Sequence, residues 1–289
     1  MEKAKAFHIS TKKGHKIAAT LHSKESKNPH LIIVSSAAGV LQKYYRFFAT
    51  YACDNSDFDV VTFDYSGIGG SATNGNVNIN STMSEWGAND LAAVIEWADS
   101  KYDKICLLGH SVAGQIFPKA TNNKRIIAAY FVAAQTPYHG FWKGFNKLKV
   151  WFLWYFALPL SVLIFGHLPG WILGGKVNFP SKAAWEWRKW ATTSDGVIQG
   201  NLFIERQFSS VKIPLHFVTI GDDEMMAPSA ATQALMSYYK NAKTTFQYIE
   251  PKNLSLEEIG HFGFFRKNMA KTLWPMPIFF FKQYVNKFE

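Results

Sequence analysis

Short apolar runs alternate with stretches of helical periodicity along most of this 289-residue chain. Six of the runs have the length and the β-branched or aromatic content of buried strands. These predicted strands are Leu31–Val34, Val60–Phe63, Ile105–Leu108, Ile127–Ala133, Pro214–Ile220 and Thr245–Ile249. Because strands that alternate with helices form parallel sheets covered on both faces, the pattern predicts the α/β class, with a mostly parallel central sheet flanked by helices.

Two further patterns concern the start of the chain and one of its helices. The segments Ala6–Ser10 and Lys16–His22 predict an antiparallel hairpin that precedes the parallel strands. One helix has a marked beginning, because Thr82 can cap it and Glu85 follows three residues later. We expect its apolar face to pack beneath the strand Ile105–Leu108.

The pattern changes over residues 138–204, where tryptophans are frequent and no strand is predicted. We interpret this segment as a helical cap between a first core part, 1–137, and a second core part, 205–289. Within the cap, Val150–Phe165 is almost entirely apolar and contains Pro159. It is short for a membrane span of about 20 residues, and a proline in its middle would kink a helix. A pair of cap helices over an apolar pocket is therefore favoured.

The charge balance is basic, with 31 lysines and arginines against 21 acids and a net charge of +10. Because Lys143, Lys147 and Lys149 precede the apolar run, peripheral contact with an anionic membrane is a secondary hypothesis. Other lysines are spread along the chain, and the aromatic residues cluster in the cap. Nucleic acid is therefore not an expected partner.

The N-terminus, the cysteines and the histidines match no pattern typical of targeting, redox chemistry or metal binding. Met1–Lys5 is followed by no apolar signal core, which predicts a cytoplasmic protein. Cys53 and Cys106 fall in predicted core segments without C-x-x-C spacing. The nine histidines form neither an H-x-x-x-H nor an H-E-x-x-H pair, so no metal or other cofactor is expected.

The run Ile105–Leu108 ends in the sequence Gly-His-Ser-Val-Ala-Gly, in which a strand breaks at a serine between small residues. A nucleophile elbow needs this spacing, because bulky side chains two positions before or after the serine would collide with neighbouring backbone. Gly109 and Ala113 occupy those two positions, and Ala113 replaces the more usual glycine. The spacing predicts Ser111 as a catalytic nucleophile.

An acidic cluster and a histidine follow this serine, in the chain order serine, acid, histidine that one class of hydrolases uses. The strand Pro214–Ile220 runs directly into Asp222, Asp223 and Glu224. An acid at the carboxyl end of a strand is suited to orienting a histidine. His261 lies between two glycines before the last helix, where it can reach the serine.

These residues carry a resemblance to the α/β-hydrolase family. In particular, the chain resembles a branch of bacterial predicted hydrolases related to serine aminopeptidases and lysophospholipase-like proteins. The resemblance covers most of the chain and includes Ser35–Val40, Tyr44–Phe48 and Val61–Ser71 besides the elbow and the His261 segment. It implies an α/β-hydrolase fold with an inserted helical cap and a Ser-His-acid triad, but no particular substrate.

The resemblance also implies a role for each residue of the triad. His261 is expected to take the proton of the serine hydroxyl, because an unactivated hydroxyl is a weak nucleophile. Alignment with the acidic motif of the family selects Asp223 as the acid that orients the imidazole. Counting three residues on from Gly221 selects Glu224 instead, and Asp222 is the third option.

Two backbone N–H groups are expected to hold the oxyanion. One belongs to Val112, directly after the nucleophile. The other comes from the loop after the third strand, from Ala37 or Ala38. The choice stays open, because Ser36-Ala37 replaces the usual His-Gly pair. His110, which is common in the elbow of the family, is expected to be structural.

We therefore predict a serine hydrolase that cleaves an apolar acyl ester, as a carboxylesterase or lysophospholipase-like enzyme, through an acyl-enzyme. A serine nucleophile favours acyl-group hydrolysis, and the aromatic and aliphatic cap favours an apolar acyl or aryl group in a small-molecule substrate. An aminopeptidase or amidase with the same triad is one alternative. A non-catalytic protein of this fold that binds an apolar ligand is another. The sequence predicts no oligomeric state.

Overall fold

An eight-stranded sheet forms the centre of the molecule. The computed structural model describes residues 3–24, 28–72, 80–173 and 175–286. Met1 and Glu2, the start of the N-terminal segment discussed above, lie outside the described residues. The strands are β1 Lys3–Ser10, β2 Lys16–Ser23, β3 His30–Ser35, β4 Phe58–Phe63, β5 Lys104–His110, β6 Ile126–Val132, β7 Pro214–Ile220 and β8 Lys243–Ile249.

The strands follow the order β1-β2-β4-β3-β5-β6-β7-β8 across the sheet. β2 is antiparallel to both of its neighbours, and every pair from β4 to β8 is parallel. The predicted hairpin forms, and each of the six predicted strands matches one of β3 to β8 closely. The prediction of a mostly parallel central sheet flanked by helices is confirmed.

The helices cover both faces of the sheet and include a long one in the predicted cap. Their bounds are α1 Arg46–Asn55, α2 Met83–Glu85, α3 Ala92–Asp99, α4 Ala113–Ile116, α5 Gly144–Phe152, α6 Leu158–Phe165, α7 Ser181–Thr192, α8 Leu202–Ser210, α9 Ser229–Tyr238, α10 Gly260–Gly263 and α11 Pro275–Val285. A π-helical segment, Trp86–Leu91, joins α2 to α3, and another, Leu153–Ala157, joins α5 to α6.

Alternate side chains of the central strands build two hydrophobic cores, one on each face of the sheet. Leu107 of β5 packs in the core that includes α3 and the cap, whereas its neighbour Leu108 packs in the core with α1 and α11. Because both faces are covered, these strands are continuous apolar runs in the sequence.

The helix that contains α2 and α3 begins at the predicted residue. The Thr82 hydroxyl oxygen accepts from the Glu85 N–H at 3.1 Å, and the Glu85 carboxylate accepts from the Thr82 N–H at 3.2 Å. Its end packs against β1 and β3, and its middle meets α4 just after the elbow. A Cβ at Gly87 would lie 2.3 Å from the Ile116 carbonyl oxygen, so this close contact requires glycine.

One feature of the cap differs from the prediction. Instead of a pair of helices over Val150–Phe165, the segments α5 and α6 form one continuous helix, Gly144–Phe165. Pro159 lies two residues after the end of the π-helical segment, whose wider turn accommodates the proline within the helix. Among the described residues, this is the one helix long and apolar enough to cross a membrane by length and composition.

Hydrogen bonds join the predicted cap to α2 and also join two helices within the cap. The Glu186 carboxylate on α7 accepts hydrogen bonds from the Ser84 N–H at 2.9 Å and from the Ser84 hydroxyl. Arg188 donates from Nε to the Trp154 carbonyl oxygen at 2.8 Å, which joins α7 to the long cap helix. The division of the chain at residues 138 and 204 stays a prediction.

Candidate active site

Ser111 occupies the sharp turn between β5 and α4. Its φ is +54°, a strained value for a residue other than glycine, and its N–H donates to the Val132 carbonyl oxygen at 2.9 Å. A Cβ at Gly109 would lie 2.6 Å from the Phe131 ring and 2.9 Å from Cβ of Ala113. A small residue at position 109 therefore leaves room for the turn, although the atoms that a side chain would meet belong to other side chains and not, as expected, to neighbouring backbone.

His261 and Asp223 form a buried pair. The distance from His261 Nδ1 to Asp223 Oδ2 is 2.6 Å, and both side chains are almost inaccessible to water. A carboxylate that accepts from Nδ1–H leaves Nε2 as the nitrogen able to take a proton from a serine. Of the three acidic residues in the cluster, Asp223 is the one that contacts the imidazole, and Glu224 is exposed.

Asp222 contacts the backbone just before His261 and not its imidazole. Its two carboxylate oxygens accept from the N–H groups of Ile259 at 2.8 Å and Gly260 at 2.9 Å. Gly260 has a φ of +62°, which favours glycine. Asp222 thus fixes the turn that presents His261, a role that its place in the acidic cluster does not indicate.

Ser111 and His261 line one cavity of about 210 Å³. The described structure contains no hydrogen bond between the serine hydroxyl and the imidazole. Catalytic hydrogen bonds are often long in unliganded sites and shorten when substrate binds. The fold therefore brings the predicted nucleophile, histidine and acid together, with one of the two hydrogen bonds expected of a triad formed.

The backbone N–H groups predicted to bind the oxyanion differ in whether they already donate to a protein acceptor. The Ala37 N–H donates to the Tyr45 hydroxyl oxygen at 2.8 Å. Within the described part of the chain, no protein acceptor pairs with the N–H groups of Val112 and Ala38. Of the two alanines, Ala38 is therefore the one with a donor free for an oxyanion.

A second cavity of about 330 Å³ adjoins the first beneath the cap. Both are lined by Leu173, Trp187 and Met226, and the second is also lined by Ala38. The walls are mainly apolar, and neither set of lining residues contains an Asp or Glu. The candidate oxyanion loop and the predicted nucleophile thus line two adjacent apolar cavities that share three wall residues.

Comparisons with solved structures identify the architecture, although no protein-family model and no curated protein sequence matches the chain. An esterase of Pyrococcus furiosus, Pf2001, is 14% identical with a TM-score of 0.62, over 98% of this chain and 92% of that chain. Est1E from Butyrivibrio proteoclasticus, with ferulic acid bound, is 15% identical with a TM-score of 0.62, over 97% and 100%. The esterase EaEST from Exiguobacterium antarcticum is 14% identical with a TM-score of 0.60, over 95% and 99%.

This chain has the α/β-hydrolase fold. The low sequence identities limit the likeness to the architecture. The structural matches confirm the fold that the sequence predicted. In the α/β-hydrolase fold the nucleophile follows a central strand, and the acid and histidine come later in the chain. Ser111 after β5, Asp223 after β7 and His261 after β8 have these places.

A chain of hydrogen bonds joins three segments of this candidate site through His110. His110 Nε2 is 2.9 Å from the His261 carbonyl oxygen, which can only accept, so Nε2 carries the proton. Burial lowers the pKa of His110 well below its usual range, so the ring is neutral and Nδ1 accepts. The donor to Nδ1 is the Tyr45 hydroxyl at 2.9 Å, whose oxygen also accepts from Ala37.

Tyr45→Phe should lower kcat by about tenfold and destabilise the fold by about 1–3 kcal/mol. It leaves the Ala37 N–H and His110 Nδ1 buried without a partner, at a cost of that size. Ester turnover and urea unfolding measure the two effects. Tyr102→Phe is the matched control, because the buried Tyr102 hydroxyl donates at 2.9 Å to the Asp59 carboxylate and Tyr102 lines neither cavity. Equal losses of kcat in both variants would contradict a role for Tyr45 in positioning that loop.

Proposed function

We propose that this protein is a serine hydrolase that cleaves carboxylic esters with an apolar acyl group. The observation that carries the proposal is the buried His261–Asp223 pair beside a strained Ser111 on one apolar cavity. The α/β-hydrolase fold and the esterases among the compared structures support the same class of reaction.

The reaction follows from the roles of these groups in acyl transfer. His261 Nε2 takes the proton as Ser111 Oγ attacks the ester carbonyl carbon, and Asp223 stabilises the imidazolium. The N–H groups of Val112 and Ala38 hold the oxyanion. When the tetrahedral intermediate collapses, the C–O bond to the alcohol breaks and His261 returns the proton to the leaving oxygen. Water then attacks the acyl-enzyme by the same steps and releases the acid.

The shape of the site supports an apolar acyl group next to Ser111. Val150, Leu153 and Trp154 of the cap helix line the serine cavity, which is small beside typical ligand pockets of about 300–1,000 Å³. Because neither cavity is lined by an acid, a free ammonium group would find no carboxylate partner. This favours an ester over the amino-terminal peptide substrate of an aminopeptidase.

A lysophospholipid is the second candidate substrate. Lys43 and Arg46 line the adjoining cavity and would suit a phosphate on the alcohol side of the ester. Trp154 and Trp187 line the serine cavity as well, and their rings pack against each other with centroids 5.0 Å apart. Turnover of a monoacylglycerol against that of a lysophosphatidylglycerol distinguishes the two candidates.

Turnover of p-nitrophenyl esters should rise with acyl length until the cavity is full and then fall. Each buried methylene is worth about 0.8 kcal/mol, or about fourfold in kcat/KM. Leu153→Trp should shift the optimum to shorter chains, because Leu153 lines the cavity. Leu160→Trp, on the exposed side of the same helix, is the matched control and should leave the optimum unchanged. A flat profile in the wild type would contradict an apolar acyl pocket.

A further inference from the structure

The long cap helix presents an apolar surface to water. Eight large apolar side chains on this helix are half or more exposed, and we call them the outer apolar face. They are Phe145, Leu148, Phe152, Phe156, Leu160, Leu163, Ile164 and Phe165. Soluble monomers rarely expose a contiguous apolar patch of more than a few hundred Å². A patch above that size marks a site of interaction with a protein, a ligand or a membrane.

The opposite side of the same helix belongs to the protein core and to the catalytic cavity. Val150, Trp154 and Leu158 are buried, and Val150 and Trp154 line the cavity of Ser111. A spanning helix would be surrounded by lipid, whereas this one packs against protein along a full stripe. The geometry is that of a helix lying in the plane of an interface.

Aromatic residues are placed on the outer side in the manner of a bilayer boundary. The ring of Trp151 lies 5.3 Å from the rings of Tyr155 and Phe156, and Phe152 stacks on Phe156 at 5.7 Å. Trp171, after the helix, is also exposed. Tryptophan and tyrosine favour the level of the lipid headgroups, because their rings are apolar with one polar atom.

The charges favour an anionic surface. Residues 138–204 contain seven lysines and arginines and two acids, so this segment has half of the +10 net charge of the chain. Lys143, Lys147 and Lys149 are exposed at the beginning of the helix, and Gly144–Phe165 contains no acid. These lysines can therefore meet anionic headgroups while the outer apolar face is buried at the boundary with the acyl region.

We propose that the outer apolar face docks this protein on an anionic lipid bilayer. The occupant is a lipid surface rather than a second copy, because the face has no acid to pair with the lysines of another copy, and each copy has a net charge of +10. Docking does not depend on the proposed hydrolase activity. If that activity holds, the wall of the acyl cavity lies next to the pool of acyl lipids.

Cosedimentation with vesicles tests the proposal, using phosphatidylcholine alone and an equal mixture with phosphatidylglycerol. The wild type should bind the anionic vesicles at low salt and dissociate as salt rises. The double variant L163D/I164D should lower partitioning at least about tenfold, because two charges would enter the acyl region. The matched control is L202D/F203D on α8. The four side chains have similar exposures: 75% and 64% for the first pair, 67% and 69% for the second.

A fluorescent label reports insertion directly. Because Cys53 and Cys106 are buried, a cysteine introduced at Ile164 or at Leu202 can be labelled selectively with an environment-sensitive dye. On anionic vesicles the emission from position 164 should shift to the blue and increase, whereas that from position 202 should stay the same. An equal shift at both positions would contradict docking through the outer apolar face.

Two other results would overturn the proposal. One is a wild type that does not bind anionic vesicles at low salt. The other is a wild type that sediments as a dimer and binds neither kind of vesicle, together with an L163D/I164D variant that sediments as a monomer. The outer apolar face would then join two copies of the protein. Turnover of a short water-soluble ester should be equal in wild type and L163D/I164D. This separates a failure of docking from a failure of the proposed activity.

Discussion

Ser111→Ala should reduce ester turnover by about 10⁴- to 10⁶-fold. The hydroxyl is the only group in the proposed reaction that bonds to the substrate, and loss of a triad nucleophile has effects of this size. The fold should be unaffected, because alanine keeps the small side chain that the strained turn requires. A fluorophosphonate probe should label wild-type Ser111 and fail to label the variant, as intact-mass spectrometry can show.

Ser255→Ala is the matched control for this experiment. Ser255 also has a positive φ, +56°, but it lies after β8 in a turn that lines neither cavity beneath the cap. Its replacement should leave labelling and turnover intact. Labelling that persists in Ser111→Ala would contradict the proposal that Ser111 is the nucleophile. An unlabelled, inactive wild type that still binds apolar ligands would favour the non-catalytic alternative.

Asp223→Asn should lower kcat by about 10⁴-fold. Its amide can donate to His261 Nδ1, which would leave the proton on Nε2 and prevent that nitrogen from accepting the serine proton. Glu224→Gln should have almost no effect, because Glu224 is exposed and does not contact the imidazole. A kcat series at fixed pH, with circular dichroism to verify folding, measures both.

Asp222→Asn tests the role of Asp222 separately from that of its neighbour Asp223. The asparagine keeps one oxygen acceptor for the N–H groups of Ile259 and Gly260, so a loss of about tenfold in kcat is expected. If Glu224→Gln were as damaging as Asp223→Asn, the role of the acid would move to Glu224. If Asp222→Asn were the most damaging of the three, fixing the histidine loop would matter more than orienting the imidazole.

The strands and the elbow were predictable because their causes are mainly local. A strand covered on both faces is a continuous apolar run, and six such runs were enough to predict a mostly parallel sheet. The elbow is partly local, since one of the two clashes that exclude a side chain at Gly109 involves Ala113, four residues away, while the nearer clash involves the Phe131 ring of β6. Short-range sterics can be recognised from spacing alone.

The acid and the oxyanion donor could not be chosen in this way, because the contacts that distinguish them are long-range. Asp222, Asp223 and Glu224 are consecutive acids that differ in where the turn after β7 points them. Ala37 and Ala38 differ because the Tyr45 hydroxyl occupies the first amide. The resemblance favoured Asp223, and it is this residue that contacts His261. The predicted cytoplasmic location stays a prediction.

The cap shows a different limit. Composition predicted helices over an apolar pocket, and proline suggested a break that a π-helical segment avoids. A helix that is apolar all round has no periodicity from which to tell its buried side from its exposed side. The assignment of Val150 and Trp154 to the cavity and of Leu163 and Ile164 to the surface required the tertiary structure.

The continuous cap helix also limits how this protein can diversify. Substitutions on its two sides can adjust the proposed acyl selectivity and the proposed affinity for a membrane separately, because the side chains concerned do not overlap. An insertion or deletion of one residue would instead rotate all later positions by about 100°. It would exchange cavity residues for surface residues in a single step. Lineages related to this chain should therefore vary freely in the identity of cap residues while conserving the length of this helix.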